Sequence, residues 1–263
     1  GAIALESFFS VEPLRHKGWQ FAGLANYARL LHDHDLLSSL VVTAVWTLAS
    51  VLLQLALALA AALIVRERFR GRGLLRSLLL VPWATPAVVG ALAWKWMYHP
   101  QYGLVNALLR KVGFPAAAIA WLGDPHTALG SVIVTNVWRG FPFLMVMLLS
   151  GLAAIPDTLY EAAAMDGAGF WQGVRHITLP LLRPVVLVST LLAGVWTFNN
   201  FSYIFILTGG GPAGRTDILV TYVYRNGFQY FHFGYAAALS VALFGLVLVA
   251  SLVHIRLVGW GST

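Results

Sequence analysis

The sequence contains no cysteine and only three lysines, Lys17, Lys95 and Lys111. The first absence excludes disulfides, thiolate metal sites and a cysteine nucleophile. The second removes nucleotide chemistry of the usual kind. The residues before the lysines are His16, Trp94 and Arg110, so no Gly-Lys pair exists from which to build a phosphate-binding P-loop. A His-Glu-x-x-His zinc motif and a Gly-x-Ser-x-Gly nucleophile elbow are also missing. Charge is scarce throughout, at 10% of 263 residues, where soluble domains carry about a quarter. With 59% hydrophobic residues and a mean hydropathy of +0.76, the chain reads as an integral membrane protein. The net charge of +7 does not indicate nucleic acid, because five arginines are concentrated in "RERFRGRGLLR" (66–76) beside a hydrophobic run. "GAIALESFF" at the start has neither a basic leader region nor a cleavage pattern.

Five stretches are long and apolar enough to span a bilayer: 38–65, 75–98, 129–153, 184–206 and 234–256. Pro82 and Pro86 in the second, and Gly140 with Pro142 in the third, predict that both are kinked or locally unwound. The arginines of 66–76 mark a cytoplasmic loop. Residues 1–37, 99–128 and 207–233 then fall outside, and 154–183 inside. An odd number of spans, with the abrupt start at Gly1, predicts a further helix upstream, of which 1–37 holds the end and an external segment.

The internal stretch "EAAAMDGAGFWQGVRHITLP" (161–180) is too ordered in composition for a plain connection. Asp157 is placed to cap a short helix, with Glu161 in its first turn. Ala162, Ala163 and Ala164 propagate that helix with almost no bulk. Gly167, after Asp166, supplies a left-handed stop, and Pro180 forces Leu179 out of helical geometry. The product is a small rigid knob, of a shape that fits a groove in another protein.

This stretch resembles the EAA loop of ABC importer permeases. "EAA", Gly167 three residues on, and "ITLP" with Ile177, Leu179 and Pro180 stand in that motif's spacing. The resemblance extends through "RGRGLLRSLLLVPWATP" (70–86), "NVWRGFPF" (136–143), "FNNF" (198–201), "LTGGGP" (207–212) and "FGYAAALS" (233–240). It is most similar to the larger permease subunit of maltose-type carbohydrate importers. The resemblance implies an all-α polytopic membrane protein with the type I ABC importer permease fold, of which 38–263 is the transmembrane domain and 157–180 the coupling loop. It implies seating of Glu161, Ala162, Ala163, Asp166, Gly167, Ile177, Leu179 and Pro180 in a cytoplasmic ATPase. ATP and magnesium would be bound there, with no cofactor or metal in this chain. It also implies a second permease, two ATPase copies, an extracytoplasmic sugar-binding protein and residence in a prokaryotic inner membrane. The sugar, a maltose, maltodextrin or trehalose type, would pass by alternating access through Asn136, Arg139, Gly140, Phe143, Thr197 and Asn200. Arg139 and Thr197 depart from the maltose permeases, where an apolar residue and an amide stand.

Several positions leave two readings. Arg139, near mid-depth, either faces a wet cavity or is held by backbone carbonyls. Of Asn199 and Asn200, one is glue between helices and the other faces the cavity. Lys95 is expected to snorkel to headgroups, and "HDHD" (32–35) to be a solvated loop rather than a metal site. The segment 207–234 either meets the sugar-binding protein or anchors in the interface through Tyr222, Tyr224, Phe228 and Tyr230. A stand-alone secondary transporter would need carboxylates within a span, and the five spans contain none. An intramembrane transferase would need paired acid–base groups, and Asp124 with His126 is isolated.

Overall fold

The computed structural model describes residues 2–11, 18–67, 69–114 and 118–259. Two short helices, α1 (Ala2–Glu6) and α2 (Ala25–Leu31), flank a small antiparallel ribbon, β1 (Phe9–Ser10) with β2 (Gln20–Phe21), in which Phe9 lies opposite Phe21. There follow α3 (His34–Arg66), α4 (Arg72–Ala84), α5 (Ala87–Met97), α6 (Leu104–Lys111), α7 (Ala128–Ala153), α8 (Asp157–Met165) and α9 (Phe170–Gly173). A π-helical turn, Val174–Thr178, joins α9 to α10 (Leu179–Phe198). Next come α11 (Phe201–Leu207), α12 (Leu219–Tyr224), a second π turn (Arg225–Gln229) and α13 (Phe233–Gly259). Four continuous helical stretches, His34–Arg66, Ala128–Ala153, Phe170–Phe198 and Phe233–Leu257, are long and apolar enough to cross a membrane, and the α4–α5 pair, bent by 95°, makes a fifth if taken as one span.

The amphipathicity of α3 is that of a lipid-facing helix. Its buried face is polar or small (Ser39, Thr43, Ser50, Gln54, Ala58), with Trp46 as the large exception. The opposite face exposes Val41, Val45, Leu48, Leu52 and Ile64. Small and hydrogen-bonding residues let helices approach closely where lipid makes the greasy face cheap. α3 packs along α7, and α10 covers both. Ala58, Ala62, Leu144, Leu148, Leu152 and Leu182 form one core cluster, and Trp46, Val132, Tyr203, Ile204 and Ile218 contribute to a second.

Proline follows the sequence expectation at one place and departs from it at two. The 75–98 stretch is sharply broken, as expected: Pro86 bars its predecessor from helical geometry, and Thr85 adopts ψ 128°. α7, in contrast, runs unbroken through Gly140 and Pro142, because neighbouring helices can satisfy the groups a proline frees. Gly140 serves close approach instead: a Cβ there would lie 2.5 Å from the Gln54 side chain. Pro180 also fails to stop the chain, and Leu179 is helical at φ −62°, ψ −43°. The π turn before it pairs the Leu179 N–H with the Val174 carbonyl, five residues back. The wider turn relieves the clash between a proline ring and the carbonyl four residues earlier. The expected 184–206 span therefore begins at Phe170 and ends at Phe198. Asn199 closes α10, and Asn200, at ψ 79°, accepts from the Tyr203 N–H to start α11.

Candidate functional site

All six residues nominated for substrate line one cavity of about 300 Å³ between α7, α10 and α11: Asn136, Arg139, Gly140, Phe143, Thr197 and Asn200. Asn136 is its hub. The Asn136 Oδ1 accepts from Asn200 Nδ2 at 3.0 Å, while its own Nδ2 donates to Thr197 Oγ1 at 3.4 Å. Gln54 Nε2 donates to the Asn136 backbone carbonyl at 3.2 Å, and Trp46 Nε1 to the Thr197 carbonyl at 2.9 Å. Asn136 and Thr197 are buried, so their amide and hydroxyl first hold α7 to the α10–α11 break. Both asparagines line the cavity; Asn200 also links the helices, while Asn199 Nδ2 returns to the Val195 carbonyl at 2.9 Å.

Arg139 resolves toward the cavity-facing reading. Its guanidinium carbon is 5.7 Å from the centre of the Tyr203 ring, and its buried Nε has no hydrogen-bond partner. The cavity lining includes no Asp or Glu. The Tyr203 hydroxyl is likewise buried and lacks a hydrogen bond of ordinary geometry.

Among the lining residues not singled out from the sequence are Gln54, Trp83, Trp196 and Tyr203. Gln54 carried a signal, being the one amide in the apolar run 38–65. The tryptophans carried none, since ten occur in the chain. Trp83 stacks on Phe143 (ring centres 6.4 Å apart, 27° between planes), and Phe143 meets Trp196 at 4.7 Å. The lining thus combines a strip of aromatic rings with a set of amides and a guanidinium. Flat apolar faces beside fixed polar groups suit a molecule with C–H faces and hydroxyl edges.

The stretch nominated for coupling projects from the bundle on α8, which buries no residue. Asp157 is its first helical residue rather than its cap, and Glu161 is exposed in the second turn. The C-terminal end follows the expectation: Gly167 takes φ +82°. Its N–H pairs with the Ala164 carbonyl at 3.0 Å, and the Ala168 N–H with the Ala163 carbonyl at 2.9 Å. These two bonds close the helix in a Schellman turn after Asp166, which explains the glycine at that spacing. Ile177 packs on the first core cluster, whereas Leu179 and Pro180 are exposed. Met165, Phe170 and Trp171 present bare apolar surface, Met165 at 88% exposure.

Lys95 is exposed and donates to the Ile206 carbonyl at 2.8 Å, at the end of α11. The "HDHD" run is more than a solvated loop: Asp33 Oδ1 caps α3 by accepting from Asp35 and Leu36 N–H, and Oδ2 accepts from the Tyr222 and Tyr235 hydroxyls. Burial works against the Asp33 carboxylate, but these hydrogen bonds prevail and hold its pKa below the ordinary value. Tyr222, nominated as a surface anchor, is consequently buried.

The chain matches the family described as "Binding-protein-dependent transport system inner membrane component" over residues 54–257. It is 40% identical to the trehalose/maltose transport system permease of Thermococcus litoralis, covering 90% of this chain and 79% of that protein. It is 33% identical to the sulfoquinovosyl glycerol transport system permease of Agrobacterium fabrum, over 97% and 82% of the two chains. With the maltose/maltodextrin permease of Escherichia coli it shares 36% identity, but spans about half of that protein (48%). In fold it resembles a chain of a bacterial ABC transporter importing the acidic polysaccharide alginate, with a TM-score of 0.82 at 24% identity over 92% of this chain and 85% of that one. The chain therefore belongs to the binding-protein-dependent inner-membrane permeases, and is an ABC importer permease of the carbohydrate-uptake type.

Proposed function

We propose that the chain is one of two transmembrane subunits of an ATP-driven importer for a disaccharide or oligosaccharide of the maltose, maltodextrin or trehalose type. The observation carrying this reading is the cavity of about 300 Å³, whose lining combines the aromatic rings of Trp83, Phe143 and Trp196 with the polar groups of Asn136, Arg139 and Asn200. Its volume is at the lower end for ligand pockets. One chain then supplies part of the site, and the second permease completes it. The aromatic strip takes a sugar ring by its C–H face, and Arg139 and Asn200 donate to hydroxyls that have lost water. A binding protein delivers the sugar from outside, and two ATPase copies grip the α8–α9 knob from the cytoplasm and bind ATP and magnesium. In this reading the 66–76 arginines and the knob lie on the cytoplasmic side of a prokaryotic inner membrane, and sugar crosses by alternating access.

The test is uptake by the complete importer in proteoliposomes, comparing trehalose, maltose, maltodextrins and an acidic sugar. Trp83→Ala and Trp196→Ala should each lower uptake of the preferred neutral sugar by about three- to tenfold, since aromatic contacts contribute on the order of 0.5–1.5 kcal/mol. Uptake confined to the acidic sugar would overturn the neutral-disaccharide reading and leave the importer assignment standing.

A further inference from the structure

The arginine run 66–76 enters the sequence reading only as a marker of membrane orientation. In the structure it also builds a joint. Arg66 is in the last turn of α3, and Asp157 in the first turn of α8. The Arg66 Nη2 donates to Asp157 Oδ1 at 2.8 Å, and the guanidinium carbon lies 4.3 Å from the centre of the Tyr160 ring. The Tyr160 hydroxyl reaches on to Thr178 Oγ1 at 2.9 Å, in the π turn that leads into α10. One guanidinium thus joins the end of α3 to α8, and through Tyr160 the same contact chain reaches the root of α10.

The charges are placed to suit the helices. The cation is at the negative end of α3 and the anion at the positive end of α8, so each complements the dipole of its own helix. Two more arginines fix the base of the joint. Arg72 Nη1 donates to the Arg66 carbonyl at 3.3 Å, and Arg76 Nη2 to the Val65 carbonyl at 3.2 Å. The Asp157 side chain is 77% exposed, and exposed ion pairs add little stability. Its value is therefore geometric. α8 buries no residue fully and meets the first core cluster through Tyr160, the ring on which the Arg66 guanidinium lies.

We propose that Arg66 is a positioning residue for energy coupling, holding the α8 knob in a fixed attitude to α3 and, through Tyr160 and Thr178, to α10. The inference rests on the coupling reading of 157–180. Both α3 and α10 contribute to the sugar cavity, through Gln54 and through Ala193, Trp196 and Thr197. A displacement of the knob is consequently delivered to two walls of the cavity at once.

The experiment uses the complete importer in proteoliposomes and measures three quantities: ATPase retained on purification, ATP hydrolysed, and sugar moved per ATP. Arg66→Ala should retain its ATPase but move at least fivefold less sugar per ATP. Arg66→Lys should fall between that variant and wild type, because an ammonium keeps the charge and loses the flat packing on Tyr160. The exchange Arg66→Asp with Asp157→Arg should recover part of the ratio lost in Arg66→Asp alone, which a role of Arg66 independent of Asp157 would not produce. If Arg66→Ala fails to assemble, Asp157→Asn takes its place with the same expectation, since Asp157 packs against little. An unchanged ratio of sugar to ATP in the assembled variant would overturn the proposal. A Gly167→Val variant run in parallel separates the two levels. Loss of transport in Gly167→Val with no effect at Arg66 overturns the joint and keeps the coupling reading, and no effect at either position overturns both.

Discussion

Replacing Arg139 by leucine is expected to cut uptake of the preferred sugar by roughly ten- to hundredfold while the assembled importer is recovered in normal or higher yield. The two halves of this expectation have opposite signs for a physical reason. An arginine near mid-membrane costs on the order of 2.5–3.5 kcal/mol on insertion scales, and here no carboxylate lines the cavity to offset it. Leucine removes that cost, so assembly should not suffer. The guanidinium, however, lines the cavity beside the Tyr203 ring. A charged donor of this kind contributes about 1.5–3 kcal/mol when a ligand hydroxyl accepts from it, which sets the fold-change. Arg139→Lys should recover only part of the uptake, because a point charge on a flexible stem does not reproduce the planar fork. Failure of Arg139→Leu to assemble would return the residue to a structural role. Uptake and complex yield, measured on the same preparation, decide between the two.

Gly167→Val is expected to lower sugar transport at least about tenfold with membrane insertion intact. Nothing lies within 4 Å of a Cβ at this position, so the effect is not a clash with a neighbour. It is conformational: the turn requires φ +82°, which costs an ordinary L-residue about 1–2 kcal/mol, and a β-branched one more. The strain is relieved by opening the two closing bonds to the Ala163 and Ala164 carbonyls, which frays the knob where it is most exposed. Gly167→Asn is the control. Asparagine tolerates the left-handed region and should keep most of the transport. Equal loss in both variants would mean that the position acts through its surface rather than its backbone.

The sequence made the site legible where a residue's chemistry and its neighbours agree. A charge at mid-span and adjacent amides singled out Arg139 and Asn200, the family resemblance added Gly140, and all three line the cavity. Gly167 was equally legible, because a helix-ending glycine three residues after a run of alanine has one economical conformation. The prolines misled. Propensity rules describe a proline in isolation, whereas Pro142 is buried among packed helices and Pro180 follows a π turn. At both places tertiary context, absent from a local reading, supplies what the proline withholds. Pro86 follows the isolated rule, and the expected interruption is a 95° break. Trp83 and Trp196 were invisible for a different reason. Their meeting across Phe143 depends on where α4 and α10 cross α7, and no spacing within one helix encodes that. The partners of Arg66 were hidden likewise, since Asp157 is 91 residues away along the chain.

The absence of native cysteine makes a direct test of the central claim clean. Ser202 lines the cavity beside Asn200, and Ser202→Cys would be the only thiol in this chain. In the complete importer, with the native cysteines of the partner subunits replaced, its rate of modification by a small polar thiol reagent is measured with and without sugar. The account predicts that the transported disaccharide slows the modification at least severalfold, that a sugar the importer does not carry leaves the rate unchanged, and that Arg139→Leu in the same background abolishes the protection. Modification at one rate whatever transported sugar is present would contradict a sugar site between α7, α10 and α11.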